Sequence, residues 1–425
     1  MFKSDCFDVV VAGAGTAGVI AALQSAGANC RTLLVERSGI PGGTMTSAMV
    51  CYPGLFFAWK KQIIAGIGWN LVKECAGLSG TELPRFEEQI GMQDHPRYQV
   101  PLNPACYSLL CDEKMTAAGV ERSYHTMIAG AVFTDNIWKV TLCTINGLKE
   151  VRARVLIDCT GDAALTAAAG LKRIIPENVQ PGTLCCKLSG YDLSGLDQDA
   201  LASAAEQAVR DGSLKWTDIS WNINGFGDAM LSKHGDNANH IFPETSPADA
   251  LQKSEMEIEG RAALLRAYRF FRRQKGLEDL TIDRMAPETG IRESAVISGV
   301  HKITLEEYIS GTHFPDSLCY AFYPVDLHEK SALGVQPKHL QPGKVPSVPL
   351  RALIPENSCS FLAAGRCISS DRRANSALRV QATAMATGQA AGAAAALAVR
   401  NNCTPLQLDV QEIKQLLKQH GAITP

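Results

Sequence analysis

The feature that most constrains this chain lies between Phe7 and Gly43. Phe7, Val9, Val10 and Val11 form a short apolar, β-branched run, the pattern of a strand buried in a parallel sheet. It ends in Gly13-Ala14-Gly15-Thr16-Ala17-Gly18, and a helix of small residues is expected from about Thr16 to Ser25. Gly27 and Asn29 close that helix, and a second strand, Arg31 to Val35, ends at Glu36. Each residue type has a physical job in a dinucleotide site. Gly13 permits the tight turn, Gly15 lets backbone approach a pyrophosphate, and Gly18 lets helix and strand touch. The helix N-terminus presents unpaired N–H groups and partial positive charge to phosphates. Glu36, 18 residues beyond Gly18, stands where a carboxylate accepts hydrogen bonds from ribose hydroxyls.

Length and composition bound the rest. At 425 residues, 46% hydrophobic and 20% charged, the chain has enough apolar surface for two domains and no signature of disorder. A net charge of −2 supplies no long-range field, so neither a nucleic acid nor a membrane partner is expected. The basic stretch Arg261 to Lys275 reads as a solvated helix face, with Arg266, Arg269, Arg272 and Arg273 outward. No cationic segment with an apolar core precedes the first strand, which predicts a cytoplasmic protein. The apolar run Ala390 to Val399 is too short to span a bilayer. Fourteen cysteines contain no pair separated by two residues, which argues against zinc ribbons, iron–sulfur ligation and a redox-active pair. They read as small buried hydrophobes in a reducing compartment, and no metal site is expected.

Further along, Gly42-Gly43-Thr44 would let backbone pass close to a flat ligand. A helix is expected from Lys60 to Ala76 and another from Pro104 to Gly119, with Tyr107, Leu110 and Met115 on one face. Strands follow at Tyr124 to Ile128, Ala131 to Thr134, Lys139 to Thr144 and Val151 to Cys159, the last running into Thr160-Gly161-Asp162. From about Leu171 to Pro346 the periodicity becomes irregular around one long amphipathic helix, about Pro247 to Gln274. The expected division is a cofactor domain in two parts, residues 1–170 and 347–425, around a substrate domain, 171–346. The second part holds a strand, Ser360 to Ala364, ending in Gly365-Arg366. After it come a small-residue helix, Val380 to Arg400, with Gly388 and Gly392 four apart, and a terminal helix, Thr404 to Gly421.

These separated motifs, with Gly290-Ile291-Arg292-Glu293-Ser294 and Arg379-Val380-Gln381-Ala382-Thr383-Ala384-Met385-Ala386-Thr387-Gly388-Gln389-Ala390-Ala391-Gly392, keep the order of a known family. The chain resembles FAD-dependent oxidoreductases of the glutathione-reductase-like superfamily, related to fumarate reductase flavoproteins. The resemblance implies an α/β fold: a Rossmann-like FAD-binding domain, its parallel sheet carrying helices on one face and a small antiparallel sheet on the other, with an inserted mixed α+β substrate domain. It implies that Gly13, Ala14, Gly15, Thr16 and Ala17 hold the pyrophosphate, with Gly18 completing the turn, Glu36 the ribose, and Arg37 beside the adenine. Gly42, Gly43 and Thr44 would run along the flavin and ribityl chain, and the backbone at Ile128 with Thr160, Gly161 and Asp162 would hold the adenine side. Gly365 and Arg366 would approach the ribityl and phosphates, and Gln381, Ala382 and Thr383 the pyrimidine edge of the flavin. Two departures are noted: Asn103 stands where many relatives have an acid, and Asp371, Arg372 and Arg373 follow Arg366.

Only one glycine fingerprint is present, so NAD(P)H as routine reductant is disfavoured and the electrons are expected to pass to or from a small organic substrate. Hydride transfer needs a substrate carbon near the flavin, a group to move a proton, and often a cation for a carboxylate. The candidates are Arg292, Glu293, His313 and His328, with His240 behind them. Arg292 reads either as an anion clamp or as the structural partner of Glu293 or another carboxylate. Cys51, near the glycine pair, reads as packing. Two other classes stay open: a flavin-bearing electron-transfer subunit acting with a partner protein or a second copy, and an RNA-modifying flavoprotein, which would need a basic surface.

Overall fold

In the computed structural model, which describes residues 4–88, 91–330 and 337–425, the strand–turn–helix–strand unit forms at the start of the chain. Residues 89–90 of the expected polar loop and 331–336 of the expected substrate domain lie outside the described residues. The first strand, Cys6–Ala12, pairs in parallel with Thr32–Val35 on one side and Gly147–Asp158 on the other. Glu121–Ser123 extends the sheet beyond Thr32–Val35, and Phe361–Ala363 beyond Gly147–Asp158, giving five parallel strands. The strand Gly147–Asp158 is shared: its first half pairs antiparallel with Ile137–Thr144, which pairs in turn with Met127–Thr134.

Side-chain alternation sorts the two faces. Val9, Val11, Leu34 and Val155 meet the helices, whereas Val10, Ala12, Leu33 and Val35 meet Trp138, Val140 and Leu142 of the antiparallel meander. The fold is therefore α/β, with helices on one face of a mainly parallel sheet and a small antiparallel sheet on the other.

Two helices dominate the covered face, Thr16–Gly27 and Gln381–Asn401. A Cβ on Gly388 would stand 2.3 Å from the Ala17 carbonyl oxygen, and one on Gly392 2.5 Å from that of Ala21. Glycine at both positions is what lets the helices touch. The register, Ala17 to Gly388 and Ala21 to Gly392, makes the helices parallel, so their N-termini emerge together at the carboxyl ends of the strands. Gln381–Asn401 is long and apolar enough to cross a bilayer, but 94% of its most apolar stretch is buried inside the protein.

A second hydrophobic core runs from Leu184 to Ala286, with Leu188, Leu264 and Phe271 at its centre and Met49 joining from outside that span. Tyr308, Phe322 and Val348 belong instead to the first core.

Several expected boundaries are corrected. The helix expected from Lys60 is Ile67–Leu78, because Trp59 and Lys60, at φ +51° and +71°, turn a small hairpin and Gly66 delays the helix start. The strand expected over Tyr124 to Ile128 is divided between Glu121–Ser123 and Met127–Thr134, where His125 at φ +51° turns the chain. The long helix is Ala250–Phe271, and Arg266 is not solvated: it pairs with the buried side chain of Asp218 at 2.8 Å. The terminal segment is a 3₁₀ turn at Pro405–Gln407 followed by Val410–Gln419, capped by Asp409. Asn103 caps its helix, accepting from the Ala105 N–H at 2.9 Å. All fourteen cysteines are free, and Cys51 is packed, its thiol on the Met45 carbonyl and pushed up to about 12 by burial.

Candidate active site

Beyond the carboxyl ends of the parallel strands lies a cavity of about 1080 Å³, at the upper end of the ~300–1,000 Å³ usual for cofactor and ligand sites. Open α/β sheets place ligands in this position. One end of the cavity is built mainly from backbone. Gly13, at φ +91°, turns the chain so tightly that a Cβ would sit 2.7 Å from the Cys159 carbonyl oxygen, and a Cβ on Gly18 would sit 1.8 Å from that of Gly13. The fold itself demands these two glycines. Gly15 is different: it lines the cavity, and a Cβ there would meet no protein atom nearer than 4.0 Å. Its bare backbone faces the space where a ligand would lie.

Gly15, Thr16 and Ala17 open the first helix onto the cavity, and no side chain caps that helix. The second helix also begins at the wall without a side-chain cap, at Val380 and Gln381. Two sets of unpaired N–H groups and two positive dipole ends thus converge on one space. Ala382 and Thr383 lie one step back; the Thr383 hydroxyl is buried and makes no hydrogen bond. Gly43 and Thr44 line the wall, while Gly42 holds them in place through its N–H to the Ala14 carbonyl at 2.8 Å.

Glu36 lines the cavity and accepts from the Ala14 N–H at 2.7 Å and the Ser38 N–H at 2.8 Å. Arg37 pairs with Glu288, and Asp162 with Lys253 and Arg366, so two ion pairs tie this end to residues of the 171–346 span. Burial by itself would raise the Asp162 carboxyl, but Arg366 and Lys253 draw it down to about 2. Thr160, Gly161, Gly365 and Arg366 complete this end, and the Arg366 Nε donates to the Gly161 carbonyl at 2.8 Å. Ile128 stands outside the wall, on the meander strand Met127–Thr134.

The other end is built from side chains. Arg292 is 9% exposed, lines the cavity and donates one hydrogen bond, from Nη1 to the Pro181 carbonyl at 2.9 Å. Glu293 is not its partner: that carboxylate accepts from the Gln180 N–H at 2.9 Å and from Arg372 at 3.2 Å, away from the cavity wall. His313 is exposed and bonded to the Val345 carbonyl at 3.0 Å, also away from the wall.

His328 lines the cavity and stands in a row, with its Nε2 3.1 Å from Asp326 Oδ2 and its Nδ1 2.8 Å from His240 Nε2. Burial, reinforced by Arg292, pushes His328 down to about 4 and His240 to about 2, so both rings are neutral at pH 7. Burial would raise the Asp326 carboxyl, but the His328 hydrogen bond and the Arg379 and Arg292 guanidiniums hold it well below the carboxylate range. Because Asp326 is ionised, the His328 proton sits on Nε2, its Nδ1 accepts from His240 Nε2–H, and His240 Nδ1 is left a bare, buried acceptor with no partner. Arg379 reaches Asp326 at 3.6 Å, and its Nε is buried without a hydrogen bond. Trp221, Tyr52 and Tyr323 supply the aromatic part of this wall.

The structure thus joins Arg292, His328 and His240 of the sequence candidates and adds Asp326 and Arg379. Arg379 carried one signal, its position directly ahead of the uncapped helix.

The thioredoxin reductase of Bacillus subtilis (strain 168) is 46% identical over 56 residues, a match spanning 13% of this chain and 17% of that protein's length. Among solved structures, the chain is similar to a geranylgeranyl bacteriochlorophyll reductase-like protein from Thermoplasma acidophilum, with a TM-score of 0.45, 14% identity and coverage of 97% of this chain and 83% of that one. It is also similar to p-nitrophenol 4-monooxygenase from Pseudomonas putida DLL-E4, at TM-score 0.43 and 12% identity, covering 97% and 84%. The family described as FAD dependent oxidoreductase matches residues 8–417. The chain, whose cavity opens on bare glycine backbone and two uncapped helix starts, belongs to the FAD-dependent oxidoreductase family, with FAD as its cofactor.

Proposed function

We propose that the protein oxidises or reduces a small organic substrate by hydride transfer through FAD, within the glutathione-reductase-like superfamily and akin to fumarate reductase flavoproteins. One observation carries this reading. The glycine-rich backbone end and the Arg292–Asp326–His328 cluster line a single cavity, so a cofactor along the first meets a substrate at the second. FAD supplies the hydride acceptor or donor.

The residues divide the rest of the work. Gly15 to Ala17 offer N–H groups to the phosphates, while the Gly13 and Ala14 N–H groups are held by Val35 and Glu36; Glu36 and Arg37 flank the adenosine side, and the N–H groups at Gln381 to Thr383 stabilise negative charge at the flavin edge. His328, both of its ring nitrogens engaged by Asp326 and His240, forms a neutral, fixed part of the substrate wall with the Trp221 ring against it. Residues of the 171–346 span, among them Trp221, Arg292 and Asp326, line the substrate side of the cavity. We assign no nucleic acid or membrane partner to the reaction, and place it in the cytoplasm; fourteen free cysteines support a reducing compartment.

The test is anaerobic reduction of the purified flavoprotein, following the flavin's visible absorbance while NADH, NADPH and a panel of small hydroxy acids, amines and alcohols are added. Bleaching by an organic substrate and not by nicotinamides supports the reading. Rapid bleaching by NADH, or no bindable flavin, overturns it.

A further inference from the structure

Resting on that reading, we infer that Arg292 and Arg379 form a subsite for one anionic group of the substrate, a carboxylate or phosphate, so that the substrate is a small organic oxyanion and not a neutral alcohol or an amine.

The argument begins with unused donors. A guanidinium carries five N–H donors in a fixed fork and cannot shed its charge at neutral pH. Arg292 uses one of them on a carbonyl and has no carboxylate within ion-pair distance among the described residues, although it is 9% exposed. Arg379 keeps a buried Nε with no partner. Buried charges are normally paired, because desolvation is repaid only by a counter-charge and full hydrogen bonding. Both side chains line the cavity, so the missing acceptor belongs there.

The charged groups around the two guanidiniums bear on the same point. Two guanidiniums face one carboxylate, Asp326, while His328 and His240 are neutral. Glu293 lies behind the wall, where it shares Arg372 with Glu329 and also acts on Arg379. Lys233 lies over the Trp221 ring at 4.2 Å, and Asp236 offsets it. Within this cluster two guanidiniums with unused donors meet the Asp326 carboxylate, which suits a single added oxyanion. The planar fork of Arg292 matches such a group bidentately, and Trp221 and Tyr52 offer apolar surface for the body that carries it. The cofactor's own phosphates have other donors, in the helix start at Gly15 to Ala17 and in Arg366.

The experiment uses FAD-loaded protein titrated with propionate, benzoate and inorganic phosphate, with propionamide and benzamide as neutral matches, read by flavin absorbance and by Tm. Saturable perturbation by at least one anion and none by its amide is expected, and the anion that binds separates carboxylate from phosphate. Arg292→Gln should raise the Kd of that anion at least tenfold, with Arg292→Lys in between. Equal binding of amides, failure of all three anions, or an unchanged Kd in Arg292→Gln overturns the subsite. A shifted flavin potential with unchanged anion affinity also overturns it, because the charge would then serve the flavin. Tm shifts measured on FAD-free protein decide the subsite even where the redox reading fails, so the two failures are distinguishable. Should Arg292→Gln not fold, the wild-type comparison of anion and amide decides alone.

Discussion

The two ends of the cavity are built on different principles. At the nucleotide end the recognising groups are backbone N–H groups and glycine surfaces, supplied by consecutive residues such as Gly13 to Gly18. At the substrate end they are charged and aromatic side chains, Trp221, His240, Arg292, Asp326, His328 and Arg379, which tertiary packing collects from a long stretch of chain. A backbone site tolerates few changes of shape, and here its charged side chains are already paired, as Arg37–Glu288 and Asp162–Lys253. A side-chain site depends on charge balance, and a single substitution can unbalance it.

The sharpest way to break that comparison is to remove the carboxylate that faces both guanidiniums at the substrate end. Asp326→Asn leaves two buried guanidiniums without their counter-charge and His328 with at best a neutral amide acceptor, and should cost about 3–5 kcal/mol in urea unfolding. A loss below about 1 kcal/mol would show that solvent already compensates the pair.

Next comes a contrast inside the glycine turn. Gly18→Ala places a Cβ 1.8 Å from a carbonyl oxygen, and should destabilise by about 1–3 kcal/mol as an overpacked core does. Gly15→Ala meets no protein atom nearer than 4.0 Å, so stability without FAD should stay within about 0.5 kcal/mol while FAD affinity falls. Equal effects of the two on the FAD-free protein would erase the distinction between fold-demanded and ligand-demanded glycines.

Acid separates the ends more gently. His328 and His240, lowered to about 4 and about 2, resist protonation when folded but accept a proton near 6.5 when unfolded. The unfolded state therefore binds more protons below pH 6.5, and stability should fall as pH drops from 6.5 towards 4, by up to about 1.4 kcal/mol per pH unit per histidine. Asp162, lowered to about 2, adds stability that is present above its ordinary range and lost only below about pH 4. Urea midpoints at pH 7 and pH 5 should differ, and His328→Gln should flatten the difference.

The smallest effect is expected at the exposed pair Arg37–Glu288, where Arg37 is 54% exposed. Arg37→Gln should change stability by less than about 1 kcal/mol, but should speed FAD release in a salt-dependent way. No change in release rate would remove this pair from the cofactor end.

The sequence by itself determined what local pattern can encode. Alternating and β-branched runs specified the parallel strands other than Glu121–Ser123, and the glycine spacing specified the turn, because each of these is a statement about backbone conformation within a few residues. The small-residue helix with Gly388 and Gly392 was legible for the same reason, although the surface it packs on, Ala17 and Ala21, was not. Boundaries slipped where a single positive φ intervened, as at Lys60 and His125. Only the tertiary structure decided which charges are solvated. Arg266, read as an outward face, grips a buried Asp218, whereas Arg292, adjacent to Glu293, has no carboxylate within ion-pair distance among the described residues. An arginine carries the same formal charge in water and in a cavity. What separates the two is the dielectric and the partners around it, and these are set by residues far away in the chain.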